Sequence, residues 1–464
     1  MNRREFLATG LAAAAPSGGA IPLFDGRTLN GWKANAPGSW RVEEGTIVAS
    51  GPRSHLFYTA REFKNFEFSA EVLTAPGANS GIYFHSKWVA EGWPTAQGFE
   101  VQINNTHRGE GNYRERKKTG SLYGVRNVYK ALAKDGEWFP MEIAVRGKQV
   151  EIRANGLLVV DYVEPDPPVG RAITAGAFAL QCHDPGSVVR FRNLRVRPLP
   201  DDLPTAGERP VADGVYRQIL DLGGSNYPMV DYHVHLKGGF NVEQALAESR
   251  KLGIFYGFAV NCGLGFPVST DSGAEEFLRT MRGVPAFVAM QGEGREWVKL
   301  FSAETRAKFD YCFSDSMTWT DDKGKRMRLW MPHEVGEITD VQHFMDLLVD
   351  RTVGVLHEPI DIYVNPTFLP VQIAKDYDRL WTPERMRKVV DALVKNGVAM
   401  EINNRYRLPS PAFIKMAKQA GAKFAFGTNN ADANIGRLEY PLEMVKECGL
   451  TWQDIFVPKG QRAG

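Results

Sequence analysis

The sequence predicts a multidomain chain in which an all-β antiparallel sandwich is followed by a seven-stranded parallel β/α barrel. Between residues 21 and 199, short alternating runs follow one another between Gly, Pro, Asn and Asp without a long helical pattern, which is typical of a sandwich. After residue 228, strand-like runs alternate with amphipathic helices, which indicates a parallel barrel. The stretch PLPDDLPTAGERP lies between them. We therefore expect domains at 21–199 and 228–464, joined by a linker at 200–227.

The strands of the sandwich are predicted from the period-two alternation of apolar and polar residues. The runs are FEFSAEVL, SGIYFHSKW, FEVQIN, FPMEIAVRG, QVEIRANG, LLVVDYV, GAFALQC and VVRFRNLRVRPL. Because strand side chains alternate between the two faces, Glu100 and Gln102 share one face of their strand.

The barrel strands are predicted from apolar runs that are separated by helical segments such as VEQALAESRKLG and TPERMRKVVDALVKNG. These runs are MVDYHVHL, FYGFAVNC, PAFVAMQG, YCFSDSMT, IDIYVNPT, VAMEINN and KFAFGTNN. Polar residues gather where the strands end, including His233, His235, Asn261, Glu293, Asp315, Asn365, Glu401, Asn403, Asn429 and Asn430. The carboxyl ends of barrel strands carry the chemistry of such folds, so the sequence predicts a site there.

Composition excludes several function classes. Lys and Arg together number 56, and Asp and Glu together number 54. The sequence has no basic stripe that would indicate a nucleic acid partner. An uncharged carbohydrate fits this balance. The cysteines Cys182, Cys262, Cys312 and Cys448 are far apart in the sequence and form no CxxC pair, which argues against a zinc finger and against a disulfide scaffold.

The N-terminal segment, residues 1–20, has the pattern of a twin-arginine export signal. Arg3 and Arg4 precede Phe6-Leu7 and a short Ala-rich stretch, and cleavage after Ala15 or Ala20 fits this pattern. The sequence therefore predicts a periplasmic or secreted protein. Beyond this segment no apolar run approaches the length of a membrane span, so we expect no membrane insertion after signal removal.

The first half contains IPLFDGRTLNGWK, NSGIYF, GFEVQI, GSLYG and LQCHDPGSVVRFRNLRV in this order. Together they resemble the 3-keto-disaccharide hydrolase family over about 180 residues. The resemblance implies a concanavalin-like jelly-roll sandwich. It also implies an enzyme that cleaves 3-keto-glycosides by hydrolysis or by elimination.

That chemistry requires a base, because a ketone at C3 acidifies the hydrogen at C2, and a donor or cation near the C3 oxygen. The matching motifs indicate Glu100, His183 and His85 as catalytic candidates. Substrate-binding candidates are Gln102, Tyr123, Trp138 and Arg192. Other interpretations remain open. In these, Glu100 only forms an ion pair with Arg190 or Arg192 across the sheet, His183 is an edge histidine whose hydrogen bonds are made within the protein, and the tryptophans belong to the core.

The second half resembles the PHP (polymerase and histidinol phosphatase) superfamily in its opening HVH, the Glu of MQGEGREW, EINN and GTNNADANIG. The resemblance implies a distorted, seven-stranded TIM-like barrel that binds divalent metals and hydrolyses phosphoesters. Carried over to this chain, the metal-ligand positions are His233, His235, Glu293 and Glu401.

Two of the expected metal ligands are replaced by amides. Asn365 precedes Pro366 where the family has a histidine, and Asn429 and Ala431 stand where it has an aspartate and a histidine. Neutral amides are poor ligands for transition metals. Three metals are therefore not expected. One divalent ion, Zn, Mn or Mg, is one interpretation. A pocket that binds a neutral ligand through amides is a second, and histidines that only form hydrogen bonds within a former metal site are a third.

The sequence favours an exported carbohydrate-active enzyme whose sandwich cleaves 3-keto-glycosides and whose barrel is a partly degenerate metal-hydrolase. The alternative is a PHP-type metal-dependent (phospho)hydrolase with the sandwich as a sugar-binding module. A third interpretation is a polysaccharide-binding protein without catalysis. The sequence sets neither the sugar and linkage nor the oligomeric state.

Overall fold

The computed structural model describes residues 19–94 and 97–458, and the chain divides into two compact units, residues 1–226 and 227–464. The predicted signal segment lies outside the described residues up to position 18. Among the helices of the described residues, none has both the length and the apolar character of a membrane span.

The first unit is a sandwich of two antiparallel sheets, as the alternating runs predict. Its strands in chain order are β1 (Ile21–Pro22), β2 (Trp32–Ala34), β3 (Trp40–Glu43), β4 (Thr46–Ala49), β5 (Ser54–Tyr58), β6 (Phe66–Thr74), β7 (Asn79–Ser86), β8 (Phe99–Asn104), β9 (Phe139–Arg146), β10 (Gln149–Ala154), β11 (Leu157–Val163), β12 (Ala177–Cys182) and β13 (Val189–Pro198). One sheet runs β11-β10-β9-β6-β13-β4-β3, with β1 paired to β13, and the other runs β2-β5-β12-β7-β8.

The core of the sandwich lies between the two sheets. In β6 every second residue is buried, so that Phe66 and Phe68 face inward, where both pack against the ring of Phe178 from β12. Burying such aromatic side chains contributes on the order of 1.5–3 kcal/mol each. In β7 and β8, by contrast, every residue is buried. Their second face is therefore also covered, and it carries polar side chains.

Strand register determines which polar side chains share that second face. Glu100 of β8 lies opposite Tyr83 of β7, Tyr83 lies opposite Ala179 of β12, and Gln181 lies opposite His55 of β5. Directly paired residues and residues two apart point to the same side of a sheet. Glu100, Tyr83, Gln181 and His55 therefore project from one face of the five-stranded sheet.

The predicted linker contains a helix, α1 (Gly214–Gly224), which was not expected from its Pro-rich start. Asp213 caps it, because its side chain accepts a hydrogen bond from the backbone N–H of Tyr216, as an N-cap should. Ile219 is buried on one face of the helix.

The second unit is a closed barrel of parallel strands, as predicted. Its barrel strands are β14 (Val230–Val234), β15 (Phe255–Gly263), β16 (Phe287–Glu293), β17 (Tyr311–Ser314), β20 (Ile362–Tyr363), β21 (Ala399–Asn403) and β22 (Phe424–Gly427), and a separate hairpin is formed by β18 (Thr318–Thr320) and β19 (Arg326–Arg328). Its α-helices are α2 (Val242–Leu252), α3 (Asp271–Thr280), α4 (Trp297–Leu300), α5 (Ala303–Ala307), α6 (Pro332–Val335), α7 (Val341–Val355), α8 (Tyr377–Leu380), α9 (Pro383–Asn396), α10 (Pro411–Gln419) and α11 (Glu439–Glu447). Short 3-10 turns lie at Ala374–Asp376 and Trp452–Asp454.

The barrel closes where β14 meets β22, and one buried carboxylate reinforces this seam. Backbone pairing there is short, with Asp231 opposite Phe426. The Asp231 side chain adds hydrogen bonds from the backbone N–H groups of Thr428 (2.9 Å) and His233 (3.1 Å), and it accepts the Thr428 hydroxyl. A buried carboxylate that accepts several donors holds its neighbours in register. Asp231 therefore fixes the strand end on which the two histidines of HVH lie.

Substitution of Gly257 by Ala should destabilise the barrel. A Cβ at this position of β15 would lie 1.9 Å from the hydroxyl oxygen of Tyr311, which donates to the carbonyl of Tyr232 at 2.7 Å. Displacing that buried hydroxyl should cost roughly 2–4 kcal/mol in the free energy of unfolding, measured by urea denaturation. Gly354→Ala in α7 is the matched control, because its Cβ meets nothing within 4 Å, and it should be neutral or stabilising by about 0.5–1 kcal/mol. Equal midpoints for the two variants would contradict this account.

Candidate functional site

A cavity of about 490 Å³ opens on the polar face of the five-stranded sheet. Strands β7, β8 and β12 supply its floor, and the segment between β8 and β9 supplies one wall. It is lined by Asn79, Trp93, Glu100, Gln102, His107, Gly109, Glu110, Tyr113, Glu115, Tyr123, Gln181 and His183. A concave site with several polar groups that converge is the usual form of a small-molecule site.

Glu100 is the buried carboxylate of this cavity, with 6% of its surface exposed. Burial raises the pKa of Glu100 to about 7, and the charge of Glu115 adds to the rise, although hydrogen bonds from Tyr83 and Gln181 and the charge of Arg171 oppose it. The Gln181 amide donates to Glu100 Oε1 at 3.2 Å and to the Tyr83 hydroxyl at 2.8 Å. A carboxyl with a pKa near neutrality can take or give a proton in this pH range.

A second group of ionisable side chains forms one wall. Glu115 Oε2 accepts hydrogen bonds from the hydroxyls of Tyr113 (2.9 Å) and Tyr123 (2.8 Å). Lys117 Nζ lies 4.0 Å from Glu115 Oε1 and 4.5 Å from the centre of the Tyr123 ring. Burial, followed by the charge of Glu115, raises the pKa of both tyrosines above the usual range. Their hydroxyls therefore keep their protons and act as hydrogen-bond donors.

His183 lies at the rim, directly after β12. Its Nδ1 is 2.8 Å from Asp184 Oδ2, and its ring centre lies 5.6 Å from those of Trp93 and His107. Partial burial of Asp184 opposes ionisation. Hydrogen bonds from Ser187 and His183 nevertheless hold the pKa of its carboxyl below the ordinary value. The rim therefore presents an imidazole oriented by an ionised carboxylate.

Four residues singled out in the sequence meet in this cavity: Glu100, His183, Gln102 and Tyr123. The structure does not bring His85 to it. A β-bulge in β7 sets Ser86 opposite Ala177 and Tyr83 opposite Ala179, with His85 at φ 54°. The extra residue reverses the alternation. His85 thus packs against Phe66, and its Nε2 lies 2.8 Å from the carbonyl oxygen of Lys64.

Trp138 and Arg192 lie elsewhere as well. The Arg192 guanidinium stacks 4.0 Å from the centre of the Trp138 ring and forms an ion pair with Glu71. Arg192 and Glu71 face each other in the β13–β6 pair of the eight-stranded sheet. Arg190 pairs with Glu43. In the described residues Glu100 therefore contacts neither arginine, and the simple cross-strand ion pair does not account for it.

Several lining residues were missed, because they follow no strand pattern. His107, Glu110, Tyr113 and Glu115 all come from the irregular segment between β8 and β9. His55, which lies opposite Gln181 but does not line the cavity, carried one usable signal, its place in an alternating strand. It is 1% exposed, and both ring nitrogens lack a partner among the described residues. Burial lowers its pKa to about 4, so the ring is neutral at pH 7.

The barrel mouth holds the predicted metal ligands at the carboxyl ends of its strands. His233 Nδ1 lies 2.7 Å from Glu401 Oε1, with both side chains 1% exposed. The other oxygen of Glu401 accepts from the backbone N–H of Asn365 (2.7 Å) and from the Asn403 amide (2.9 Å). Glu401 therefore orients His233 and has no oxygen free of hydrogen bonds.

The remaining two predicted ligands, His235 and Glu293, differ in the direction in which burial shifts their pKa. His235 Nδ1 lies 3.1 Å from the Ala259 carbonyl oxygen, and Gln291 also hydrogen-bonds the ring. Burial lowers the pKa of His235 well below its usual value. Burial, with the charge of Asp315, raises the pKa of Glu293 to about 8. Asn261 donates to Glu293 Oε1 at 2.6 Å.

The barrel residues fit a single metal ion in part. His233 Nε2 and Glu293 Oε2 are buried without a partner among the described residues, and such orphaned atoms are the ones that an ion would take. In the described part of the barrel, no three His, Cys, Asp or Glu ligand atoms lie within 4.8 Å of one another. Asn365 and Asn429, the two amide replacements, adopt φ of 48° and 51°. The metal assignment stays a prediction.

Comparison with known proteins locates a family match in the first unit. Residues 19–197 match the 3-keto-alpha-glucoside-1,2-lyase-like domain, which confirms the resemblance of the sandwich motifs. A 3-keto-disaccharide hydrolase of Bacteroides thetaiotaomicron is 30% identical over 173 residues, covering 31% of this chain and 58% of that protein. The chain therefore spans less than two thirds of the length of this relative.

Two solved structures from Parabacteroides distasonis ATCC 8503, both described as proposed glycosyl hydrolases, are similar to the chain. One is 24% identical with a TM-score of 0.35 and covers 39% of this chain and 94% of that chain. The other is 26% identical with a TM-score of 0.33 and covers 39% of this chain and 99% of that chain.

Glu100→Gln should stabilise the protein in a pH-dependent way. The folded pKa of about 7 exceeds the ordinary value of 4.5, so the stability that the protonated form provides is present below pH 4.5 and is lost as the pH rises to about 7. The variant should therefore gain up to about 3 kcal/mol over the parent between pH 4.5 and 8. Urea unfolding at several pH values measures this, with Glu91→Gln at an exposed carboxylate as control. A difference that does not change with pH would contradict the buried charge.

Proposed function

We propose that the protein is a carbohydrate-active enzyme that cleaves the glycosidic bond of 3-keto-glycosides in the cavity of its sandwich. One observation carries this proposal. Glu100, a buried carboxyl with a pKa of about 7, lines a cavity within residues 19–197, the segment that matches the lyase-like family. The name of the Bacteroides thetaiotaomicron relative supports the substrate class. The match also supports the finer assignment of a concanavalin-like jelly roll.

Glu100 is the base of this reaction. Its carboxylate takes the hydrogen from C2, which the C3 ketone acidifies, and the electron pair forms an enolate between C2 and C3. When the enolate collapses, a double bond forms between C1 and C2, the C1–O bond breaks, and the released alkoxide receives a proton. Elimination ends there. Addition of water to the double bond gives the same products as hydrolysis. Each step balances without an oxidant, because the ketone is already in the substrate.

The other groups of the cavity hold the sugar. The hydroxyls of Tyr113 and Tyr123 both donate to Glu115, so their oxygens remain beside the cavity as acceptors for sugar hydroxyls. Gln181 Oε1 is a buried acceptor without a partner among the described residues, suited to a sugar hydroxyl. Trp93 lines the opening with 37% of its surface exposed, as a ring that stacks on a sugar would be. His183 is the second catalytic candidate.

Residues 1–20 support the further proposal that the enzyme acts outside the cytoplasm, in the periplasm or beyond. A twin-arginine signal delivers folded protein, which suits a chain of two units. Fractionation of cells that express the full chain tests this proposal, and an Arg3→Lys, Arg4→Lys double variant should remain in the cytoplasm.

Glu100→Gln should lower the kcat for aglycone release from a 3-keto-glucoside by at least about 100-fold, because the amide accepts no proton. In the parent, kcat/KM should rise with pH through a pKa of about 7 as Glu100 ionises, and His183→Ala should also reduce turnover. Release of a chromogenic aglycone measures both effects.

Glu142→Gln is the matched control for that experiment. Glu142 lies on β9 of the other sheet, and its loss should leave kcat within about twofold. A Glu100→Gln variant that melts normally and retains parental kcat would remove this carboxylate from the mechanism. An active parent with a flat pH profile between 5 and 9 would do the same.

A second candidate function lies in the barrel, as a metal-dependent hydrolase of the PHP type. The orphaned atoms His233 Nε2 and Glu293 Oε2 favour it. These two residues would hold the ion, while Glu401 orients the imidazole. A divalent metal there would activate water for the hydrolysis of a phosphoester.

His233→Ala should reduce the zinc or manganese retained by the full chain by one equivalent, measured by elemental analysis after dialysis against the metal. It should also remove any hydrolysis of p-nitrophenyl phosphate. His343→Ala is the control, since His343 is exposed and pairs with Asp322. Equal metal content in His233→Ala and the parent would leave the barrel without a metal function.

A further inference from the structure

The rim of the sandwich cavity contains a group of side chains with the composition of a metal site. Glu110, His183 and Asp184 each offer one ligand atom, and these three atoms all lie within 4.8 Å of one another. Two of the residues, Glu110 and His183, line the cavity itself. Among the described residues of the chain, this is the one group of three such ligands.

The donor set, one imidazole nitrogen and two carboxylate oxygens, suits a divalent first-row metal such as Mn²⁺ or Zn²⁺. The Asp184 carboxylate is already fixed in place. The Gly186 N–H donates to Oδ1 at 2.8 Å and the Ser187 hydroxyl donates to Oδ2 at 2.7 Å. A ligating carboxylate held by such bonds loses little freedom when it binds an ion.

An independent observation indicates that the same cavity binds a ligand. Gln181, two residues before His183, is 2% exposed, and its Oε1 has no partner among the described residues. It faces the cavity. An unpartnered acceptor at this depth costs free energy unless a bound molecule donates to it.

The charge of the lining favours a bound cation. Glu100, Glu110 and Glu115 line the cavity, whereas no lysine or arginine is among the described lining residues. The enolate of a 3-keto sugar would develop its negative charge near the carboxylates of Glu110 and Glu115, while Glu100 is neutral because it holds the proton from C2. In a partly buried site that repulsion is large, and a divalent ion beside the C3 oxygen would reverse its sign.

We propose that Glu110, His183 and Asp184 bind one divalent cation at the rim of the cavity, and that this cation binds the C3 carbonyl oxygen of a 3-keto sugar and the oxygen of a neighbouring hydroxyl. The second part rests on the proposed function, and the first does not. His183 then acts as a ligand, and its Ala variant loses activity because the cation is lost. The ion stabilises the enolate oxygen while Glu100 holds the proton from C2.

The test begins with cation binding alone, without any sugar. Mn²⁺ is titrated into the full chain and followed by electron paramagnetic resonance. Glu110→Gln and Asp184→Asn should each weaken one binding event by at least tenfold, whereas Glu91→Gln, at an exposed carboxylate before Trp93, should leave it unchanged. Glu110 is exposed, so its variant should fold even where loss of Asp184 disturbs the turn. The absence of any Mn²⁺ or Zn²⁺ binding that depends on Glu110 overturns the proposal.

Activity separates the two proposals. Glu110→Gln should raise the KM for a 3-keto-glucoside and lower kcat at subsaturating Mn²⁺, with partial recovery at high Mn²⁺, and the sugar should change the Mn²⁺ spectrum of the parent. Cleavage that is unaffected by Glu110→Gln and by chelators overturns the cation's role and leaves the proposed function standing. Glu110-dependent Mn²⁺ binding without cleavage by any form overturns the proposed function and leaves the cation site standing.

Discussion

The burial of ionisable side chains away from water is the constraint on which both units depend. A carboxylate or imidazole in an apolar interior must find a partner, change its protonation state or face a ligand. In the barrel, Asp231 accepts hydrogen bonds from the backbone N–H groups of Thr428 and His233, and these bonds help to hold the first and last strands together. In the sandwich, Glu100 accepts hydrogen bonds from Gln181 and Tyr83, but burial outweighs them and its pKa rises to about 7.

The two sites use their polar groups differently. At the barrel mouth most of them bind one another: Glu401 holds His233, and Asn365 donates to Asp315 at 2.8 Å. A network of this kind is satisfied internally and leaves few atoms for a ligand. In the sandwich, the glutamates and Gln181 line a cavity, so that a bound ligand would supply further hydrogen-bond partners to them. This difference, together with the family match over residues 19–197, favours the sandwich as the unit that contains the carbohydrate site.

Much of this arrangement follows from local sequence patterns. Alternation predicted strands close to Phe66–Thr74 and Phe99–Asn104, and it correctly set Glu100 and Gln102 on one face, because the two-residue period of a strand is a local property. The alternation of strand-like runs with amphipathic helical segments predicted the parallel barrel. The HVH pair at the end of β14 likewise follows from its position after an apolar run.

The tertiary structure decided what local periodicity does not contain. A bulge in β7 turned His85 into the core, since one extra residue reverses every side chain beyond it. The packing of the two sheets placed Trp138 and Arg192 away from the cavity, and the path of the irregular segment after β8 brought Glu110 and Glu115 into it. The sequence by itself thus determined the antiparallel sandwich, the parallel barrel and the strand that carries Glu100. The composition of the site depended on contacts between residues far apart in the chain, which a period of two or 3.6 residues does not encode.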